Sequence, residues 1–386
     1  MAEHKREQSA RSMRNQRTVL IAPGHIPHYR SRFYEILTEH AASAGIRLKI
    51  AASRAVPPNI LPGNAPGSMD APMHKLGPLT WQNTLTPSAG CDLVIAQQEA
   101  KYVSNYLLQA KRLFSPQKFA FWGHGKNFQS KSIRSLGETI KRQTALHCDW
   151  WFAYNAASAA VVEELGFPPE RITLVNNSID TKALIAVRDA LSPEVVENAK
   201  SSLGIDSANV AIYTGGLYEE KRIPFLLGAA AKVRAQLPDF HLVIIGGGPQ
   251  KDLVAQAARD NTWIHYLGPK NDAEKLPYWA ISKVSLIPGA VGLGILDSFA
   301  LGVPLIACRT FGHGPEIAYL KPGINGVMVE QGESSSDYAA AVVNLLRDDE
   351  QRAKMIHAGL QECETLNIET MAQNFAEGIE AALRAD

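Results

Sequence analysis

Three glycine-bearing segments supply the backbone and side-chain groups that could hold a phosphate-bearing ligand. Gly215-Gly216-Leu217-Tyr218-Glu219-Glu220-Lys221 follows an apolar, strand-like run at 210–214. Glycines there let the backbone approach a ligand closely. Lys221 opens the next helical pattern, where backbone N–H groups already favour an anion. A lysine so placed suits a diphosphate clamp; the plainer alternative is a strand–helix turn with a solvated lysine.

The second segment, Pro288-Gly289-Ala290-Val291-Gly292-Leu293-Gly294, follows the run at 284–287 and leads into a helix. Gly292, Leu293 and Gly294 would present backbone donors at that helix start. Asp297 falls in the first turn, either as a helix-end charge partner or as an acceptor for ribose hydroxyls. The third segment, Gly246-Gly247-Gly248-Pro249, follows the run at 242–245, but Lys251 stands where the last glycine of G-x-G-x-x-G belongs. A nicotinamide or flavin fingerprint therefore fails.

The first half offers histidines. His124 lies between Gly123 and Gly125 at a strand end, an exposed place. The segment from Ala22 through Gly24, His25, His28 and Arg30 follows the first strand and gathers two histidines and an arginine on one loop. These residues could meet an acceptor; the alternative is a turn with solvated histidines. No Asp or Glu joins the histidines at ligand spacing, so no metal site is expected. No pair of carboxylates supports a double-displacement hydrolase either.

These residues need a scaffold. Strand-like runs at 18–22, 46–52, 93–96, 119–122, 150–153 and 172–175 alternate with helical patterns, one of them at 31–43. Residues 53–90 carry many prolines and glycines and read as an irregular insertion. The rhythm restarts after a polar stretch at 181–208, with strands at 210–214, 242–245, 263–266, 284–287 and 305–307. Helices are expected at 221–235, 249–258, 271–280 and 293–301, and the chain closes with helices at 336–347, 349–360 and 366–384. This alternation predicts an α/β fold with two Rossmann-like domains, 18–190 and 191–365, facing across a cleft. Residues 1–17 read as a flexible basic tail, with a lipid-headgroup tether as the alternative.

A length of 386 residues agrees with two domains. The charges divide unevenly. Residues 1–190 hold 23 Lys+Arg against 14 Asp+Glu, or +9; the remainder holds 16 against 24, or −8, for the total of +1. Lys101, Tyr102, Tyr106, Lys111, Arg112 and Phe114 share a helical stretch, and Lys126, Lys131, Arg134, Lys141 and Arg142 follow. Basic residues interleaved with aromatics suit an anionic membrane surface. No nucleic-acid motif accompanies them, so nucleic acid is not an expected partner. The four cysteines form no C-x-x-C pair and read as free thiols in a reducing cytoplasm. No secretory signal and no apolar run long enough to span a membrane is present.

Taken together, the motifs resemble those of retaining glycosyltransferases of family 4 (group 1 glycosyltransferases), which have the GT-B architecture. The resemblance runs over about residues 18–380 and is strongest at 210–330. Gly215 to Lys221 looks like the family's G-R-L-x-x-x-K turn, and Ile245-Gly246-Gly247-Gly248-Pro249 its hydrophobic-G-x-G-P loop. His265-Tyr266-Leu267-Gly268 resembles the strand end near the nucleotide base. Asp297 to Pro304 matches E-A-x-A-x-G-x-P, and Pro315-Glu316-Ile317 and Gly323-Ile324-Asn325-Gly326 match the segments that follow. Asn177-Ser178-Ile179-Asp180 resembles the N-G-hydrophobic-D before the interdomain linker.

The resemblance implies sugar transfer from a UDP- or GDP-linked donor to a hydroxyl of a saccharide or lipid-linked acceptor, with retention and without a metal or other cofactor. Cell-surface polysaccharide or glycolipid synthesis is the expected setting, in the cytoplasm, with attachment to the inner face of the cytoplasmic membrane as an addition. His124 and Lys221 are the catalytic candidates. Gly215, Gly216, Lys221, Gly248, Gly268, Gly292, Leu293, Gly294 and Asp297 are the donor-binding candidates; Gly24, His25, His28 and Arg30 are those for the acceptor. The last helix, about 366–386, is expected to pack back on the first domain, and closure is expected about the 181–208 linker.

Two departures stand out. The family's Glu-x7-Glu reads Gly289-x7-Asp297, so the carboxylate that would touch the sugar is lost. The family's phosphate-binding arginine falls at Gly216. A catalytically degenerate scaffold or sugar-binding subunit is the alternative that these losses suggest, and a sugar-nucleotide epimerase is a third.

Overall fold

A computed structural model describes residues 16–56, 61–125 and 144–385. The basic cluster Lys126, Lys131, Arg134, Lys141 and Arg142 lies outside them, as do residues 1–15. Arg17, counted with the tail, is tied down instead: its guanidinium pairs with Asp92 at 2.7 Å. The chain folds as two compact units, which part at Asn177/Ser178.

In the first unit, β1 (Thr18–His25) leads to α1 (Ser31–Ser43) and β2 (Arg47–Ser53). The proline-rich stretch contributes β3 (Met69–Asp70), β4 (Met73–Leu76) and β5 (Leu79–Gln82). There follow β6 (Leu93–Gln97), α2 (Val103–Arg112), β7 (Lys118–Gly123), β8 (Trp150–Ala153), α3 (Ala156–Glu164) and β9 (Ile172–Leu174). The sheet order is β3-β2-β1-β6-β7-β8-β9, with every pairing parallel. Helices on both faces bury the strands, which is why they read as unbroken apolar runs rather than alternating ones. The stretch at 53–90 is thus not wholly irregular: β3 extends the sheet beside β2, and β4 and β5 form an antiparallel hairpin.

The second unit opens with α4 (Thr181–Asp189) and α5 (Pro193–Ser202). It continues through β10 (Val210–Thr214), α6 (Ile223–Gln236), β11 (His241–Ile245), α7 (Lys251–Asp260), β12 (Ile264–Tyr266), α8 (Asp272–Ala280) and β13 (Val284–Ile287). Then come α9 (Gly294–Leu301), β14 (Leu305–Cys308), β15 (Gly326–Val329), α10 (Ser335–Arg347) and α11 (Asp349–Glu362). The parallel order is β12-β11-β10-β13-β14-β15. That is the doubly wound order, whose direction of winding reverses between β10 and β13, and ligands bind beyond the carboxyl ends of the strands at such a reversal.

The expected linker at 181–208 is corrected. Asp180 caps α4 and Ser192 caps α5, each accepting an N–H from the first turn, and Pro193 opens α5. Leu184 and Ile185 pack with Phe299 and Leu366 in the second unit's core. The stretch is folded structure, so the boundary falls at 177/178 rather than at 190, and 181–208 is not a free hinge. The last helix, α12 (Ile368–Arg384), belongs to the first unit. Its Phe375 stacks on Phe152 with ring centroids 4.4 Å apart and meets Phe33 and Trp122 edge-on. Truncating so buried an aromatic costs about 3–5 kcal/mol, so α12 is a structural member of that core.

Candidate donor site and histidine loops

β10 and β13 are neighbours, so the loops that follow them emerge side by side at the reversal point. They are tied together. The Ala290 N–H donates to the Glu220 carbonyl at 2.8 Å, and the Lys221 ammonium donates to the Ala290 carbonyl. Lys221 does not open the helix as expected. It ends a short 3-10 turn, Glu219–Lys221, and Arg222 intervenes at φ 58° before α6. A left-handed conformation is uncommon for a residue with a side chain. Here the Arg222 guanidinium donates to the Gly332 carbonyl at 2.7 Å and pairs with Glu333 at 2.9 Å. Burial draws the Lys221 pKa below its ordinary value, against the opposing charges of Glu220 and Glu316.

Gly289 explains the missing carboxylate. A Cβ there would stand 2.3 Å from the Glu220 carbonyl oxygen and 2.6 Å from the Lys221 Cα. The two loops approach too closely for any side chain. Further along, Gly292 faces open space, with nothing within 4 Å of a would-be Cβ. Leu293 precedes α9 without a side-chain cap, and Gly294 begins it. The helix start has no side-chain cap, an arrangement whose N–H groups suit an anion.

The third glycine segment serves packing. A Cβ on Gly248 would lie 2.7 Å from the Leu217 carbonyl oxygen. The Leu217 N–H donates to Gly247, and the Gly246 N–H donates to Gly268. Gly215 is held to Ile245 by its own N–H, and the Gly216 carbonyl accepts from the Tyr213 hydroxyl at 2.7 Å. The Tyr218 ring lies over the position that a Gly216 side chain would take. These glycines set the spacing of the loops after β10, β11 and β12.

Asp297 sits on α9, and its carboxylate receives the Lys275 ammonium at 2.9 Å; Lys275 also pairs with Asp272 at 2.8 Å. Burial alone would lower the Lys275 pKa, but Asp297 and Asp272 push it well above the ordinary lysine value. Both readings of Asp297 left this partner out. Lys275 comes from α8, a residue whose sequence context gave no signal beyond a polar helix position. The sequence reading also missed His313, on the loop after β14. Its only sequence signal is a histidine between two glycines in a loop after a strand, similar to the glycine-flanked setting of His124.

In the first unit, His124 follows β7 and meets the Tyr154 ring edge-on at 4.3 Å. The Gly125 N–H donates to Gln98 Oε1 at 3.1 Å, which fixes the turn beyond it. His25 ends β1, partly buried. Burial, and then Lys101, lower its pKa below the ordinary imidazole value. His28 is exposed and meets Tyr29 edge-on. Gly24 is buried, with Tyr102, Met73 and Gln97 closing around it and its carbonyl accepting from Gln82 at 3.0 Å. Arg30 is a correction: only 6% exposed, it donates to Asn177 and to the Met371 sulfur. It braces α12 against the sheet and offers no free guanidinium to an acceptor. All four cysteines are buried free thiols. Among the described residues no three His, Cys, Asp or Glu side chains converge as metal ligands, and no helix is long and apolar enough to cross a membrane.

The chain is similar to known proteins in sequence and in fold. Residues 208–348 match the family model described as glycosyl transferases group 1. A D-inositol 3-phosphate glycosyltransferase from Corynebacterium urealyticum is 30% identical over 195 residues, covering 47% of this chain and 45% of the relative. A GDP-mannose-dependent alpha-(1-6)-phosphatidylinositol monomannoside mannosyltransferase from Mycolicibacterium smegmatis is 31% identical over 185 residues, covering 45% and 47%. The chain thus spans about half the length of these curated relatives. HepE of Anabaena, solved in complex with UDP-glucose, superposes with a TM-score of 0.69 at 16% identity, covering 94% of this chain and 99% of that one. Sucrose-phosphate synthase of Thermosynechococcus elongatus does so with a TM-score of 0.69 at 17% identity, covering 96% and 100%. The two parallel-sheet α/β units are those of the GT-B fold.

Proposed function

We propose that this chain is a glycosyltransferase that moves a sugar from a nucleotide-diphosphate donor to a hydroxyl of a saccharide or lipid-linked acceptor, with retained anomeric configuration. The observation that carries the reading is the Lys221–Ala290 tie, which joins the two loops at the reversal point and holds an ammonium on the loop that leads into α9. The match of 208–348 to group 1 glycosyl transferases supports it. So do a fold neighbour that binds UDP-glucose and a relative that is GDP-mannose-dependent. The inositol phosphate and phosphatidylinositol in the relatives' names favour a phosphorylated or lipid-linked acceptor.

In this reading Lys221 and the N–H groups at Gly292–Gly294 stabilise the charge that develops on the departing diphosphate. Donors fixed before the reaction are worth several kcal/mol at such a site because they need no reorganisation. Asp297, oriented by Lys275, receives the ribose hydroxyls. With no carboxylate at Gly289, sugar recognition falls to the backbone of 290–294. A front-face departure, in which the leaving phosphate assists the incoming hydroxyl, accounts for retention without a covalent intermediate and without a metal. His124 orients or polarises a substrate hydroxyl; His25 and His28 contribute to the acceptor side. Glycolipid or cell-surface polysaccharide synthesis follows as the setting.

A second reading, a binding subunit without catalysis, is favoured by the shut position at Gly289. Donor hydrolysis or transfer by the purified chain, lost in Lys221→Ala, decides for the enzyme. Nucleotide binding with no turnover across UDP- and GDP-sugars decides for the subunit.

A further inference from the structure

Val291, next to the Lys221 tie, is held on its other side by the loop after β14. The Val291 N–H donates to His313 Nδ1 at 3.1 Å, and the Gly314 N–H donates to the Val291 carbonyl at 2.7 Å. The other ring nitrogen of His313, Nε2, lies 2.9 Å from the Cys308 carbonyl. A carbonyl only accepts, so Nε2 carries the proton; Nδ1 receives an N–H, so it presents its lone pair. Both nitrogens are committed, and the tautomer is fixed by geometry. The ring is 9% exposed, and Val291 and Cys308 are buried. Thus Ala290 is stitched to the loop after β10 and Val291 to the loop after β14, and together they aim Gly292–Gly294.

We propose that His313 is a positioning residue for the donor site: in its neutral, Nε2-protonated form it clasps Val291 to the end of β14, and a second proton opens the clasp and misdirects the glycine loop. This deepens the proposed function and rests on that reading for its catalytic consequence. A proton on Nδ1 would face the Val291 N–H, two donors with no acceptor between them in a buried place, which disfavours the closed clasp. The charged groups that face the ring are Lys221 from the loop after β10 and Arg309 on its own loop. Glu316 supplies the acid of this corner, its carboxylate lying against Gly314. Burial foremost, and then Lys221 and Arg309, lower the His313 pKa, against the Cys308 carbonyl, which raises it. The clasp is therefore closed at neutral pH and opens as pH falls below the ordinary imidazole value.

Glutamine offers an amide oxygen to the Val291 N–H and an amide NH2 to the Cys308 carbonyl and does not titrate, so His313→Gln retains the clasp without the switch. The experiment has two arms. In the first, nitrogen NMR of histidine-labelled full-length protein reads the tautomer and titration of the resonance that His313→Gln removes. An Nε2-protonated ring that titrates below the usual value is expected; an Nδ1-protonated ring or an ordinary titration overturns the proposal. This arm stands whether or not the chain transfers sugar. In the second, UDP and GDP affinity, and donor KM and kcat where turnover is seen, are followed between about pH 5 and 7.5. Wild type should lose about tenfold in nucleotide affinity or donor KM on the acid side, and His313→Gln should lose much less, as expected for one buried anchor. An acid limb that persists unchanged in His313→Gln overturns the proposal.

Discussion

Gly289 and Lys221 meet backbone to backbone: a Cβ on Gly289 would stand 2.6 Å from the Lys221 Cα. Loss of a carboxylate at this position is therefore part of how the two loops join, and the same approach brings the lysine ammonium onto Ala290. Restoring the family's acid should not restore a sugar contact. Gly289→Glu is expected to force the loops apart, to cost about 1–3 kcal/mol as overpacking does, and to weaken nucleotide binding. Thermal unfolding with and without UDP or GDP measures both effects. Unchanged stability with stronger donor binding would refute the close-approach account.

The Lys275–Asp297 pair makes a different demand. Lys275→Met leaves the Asp297 carboxylate in a largely buried place without its cation, which should destabilise the protein by about 3 kcal/mol. Lys275→Met/Asp297→Asn should recover part of that loss in chemical denaturation, because the unpaired charge is gone. Nucleotide affinity should fall in both. Since the raised Lys275 pKa adds stability that is full below the ordinary lysine value, the pair's contribution should fade only as pH climbs through the raised value.

Lys221 should give an alkaline limb. Burial lowers its folded pKa, so the charged form is disfavoured and stability is gained as pH rises from the lowered value toward the ordinary one. A bound diphosphate reverses the preference and draws the proton back. Nucleotide affinity should therefore decline as pH passes through the lowered value, with proton uptake on binding visible by calorimetry in buffers of different ionisation heat. Lys221→Ala should remove both the decline and the uptake.

The first unit carries an apolar tip beside basic residues. Leu113 and Phe114, just past α2, are 71% and 90% exposed, next to Lys111 and Arg112. We expect this tip to bind anionic vesicles, and Phe114→Ser to weaken that binding severalfold without changing nucleotide affinity. Raising salt to about 0.5 M shortens the screening length well below 10 Å and should release the protein. Absence of vesicle binding at low salt would leave the charge split as a property of two units alone.

How much was readable from the sequence follows from where the information sits. Strands such as Val210–Thr214 and Val284–Ile287 were legible because both faces are buried and glycine loops end them. The short strand Gly326–Val329 opens on a glycine and was missed. The helices Thr181–Asp189 and Pro193–Ser202 read as a polar linker because much of their surface faces solvent and each buries a single residue fully. The sequence singles out Lys221 and the loop at Gly292–Gly294 because their signals are local. Lys275 and His313 were not, since each acts on a residue 22 positions away along the chain, and only the strand order brings them together. Arg30 erred in the opposite direction: a cation on a strand-end loop looked available, but α12 returns from the far end of the chain to cover it.

Sugar transfer is tested by incubating purified protein with UDP- and GDP-sugars and phosphorylated-polyol or lipid-linked acceptors, with the anomeric configuration of the product read by NMR. Wild type should transfer with retention, and Lys221→Ala should lose about a hundredfold or more, as for removal of one preorganised leaving-group contact. Transfer with inversion, or Lys221→Ala turning over at the wild-type rate, would contradict the proposed function.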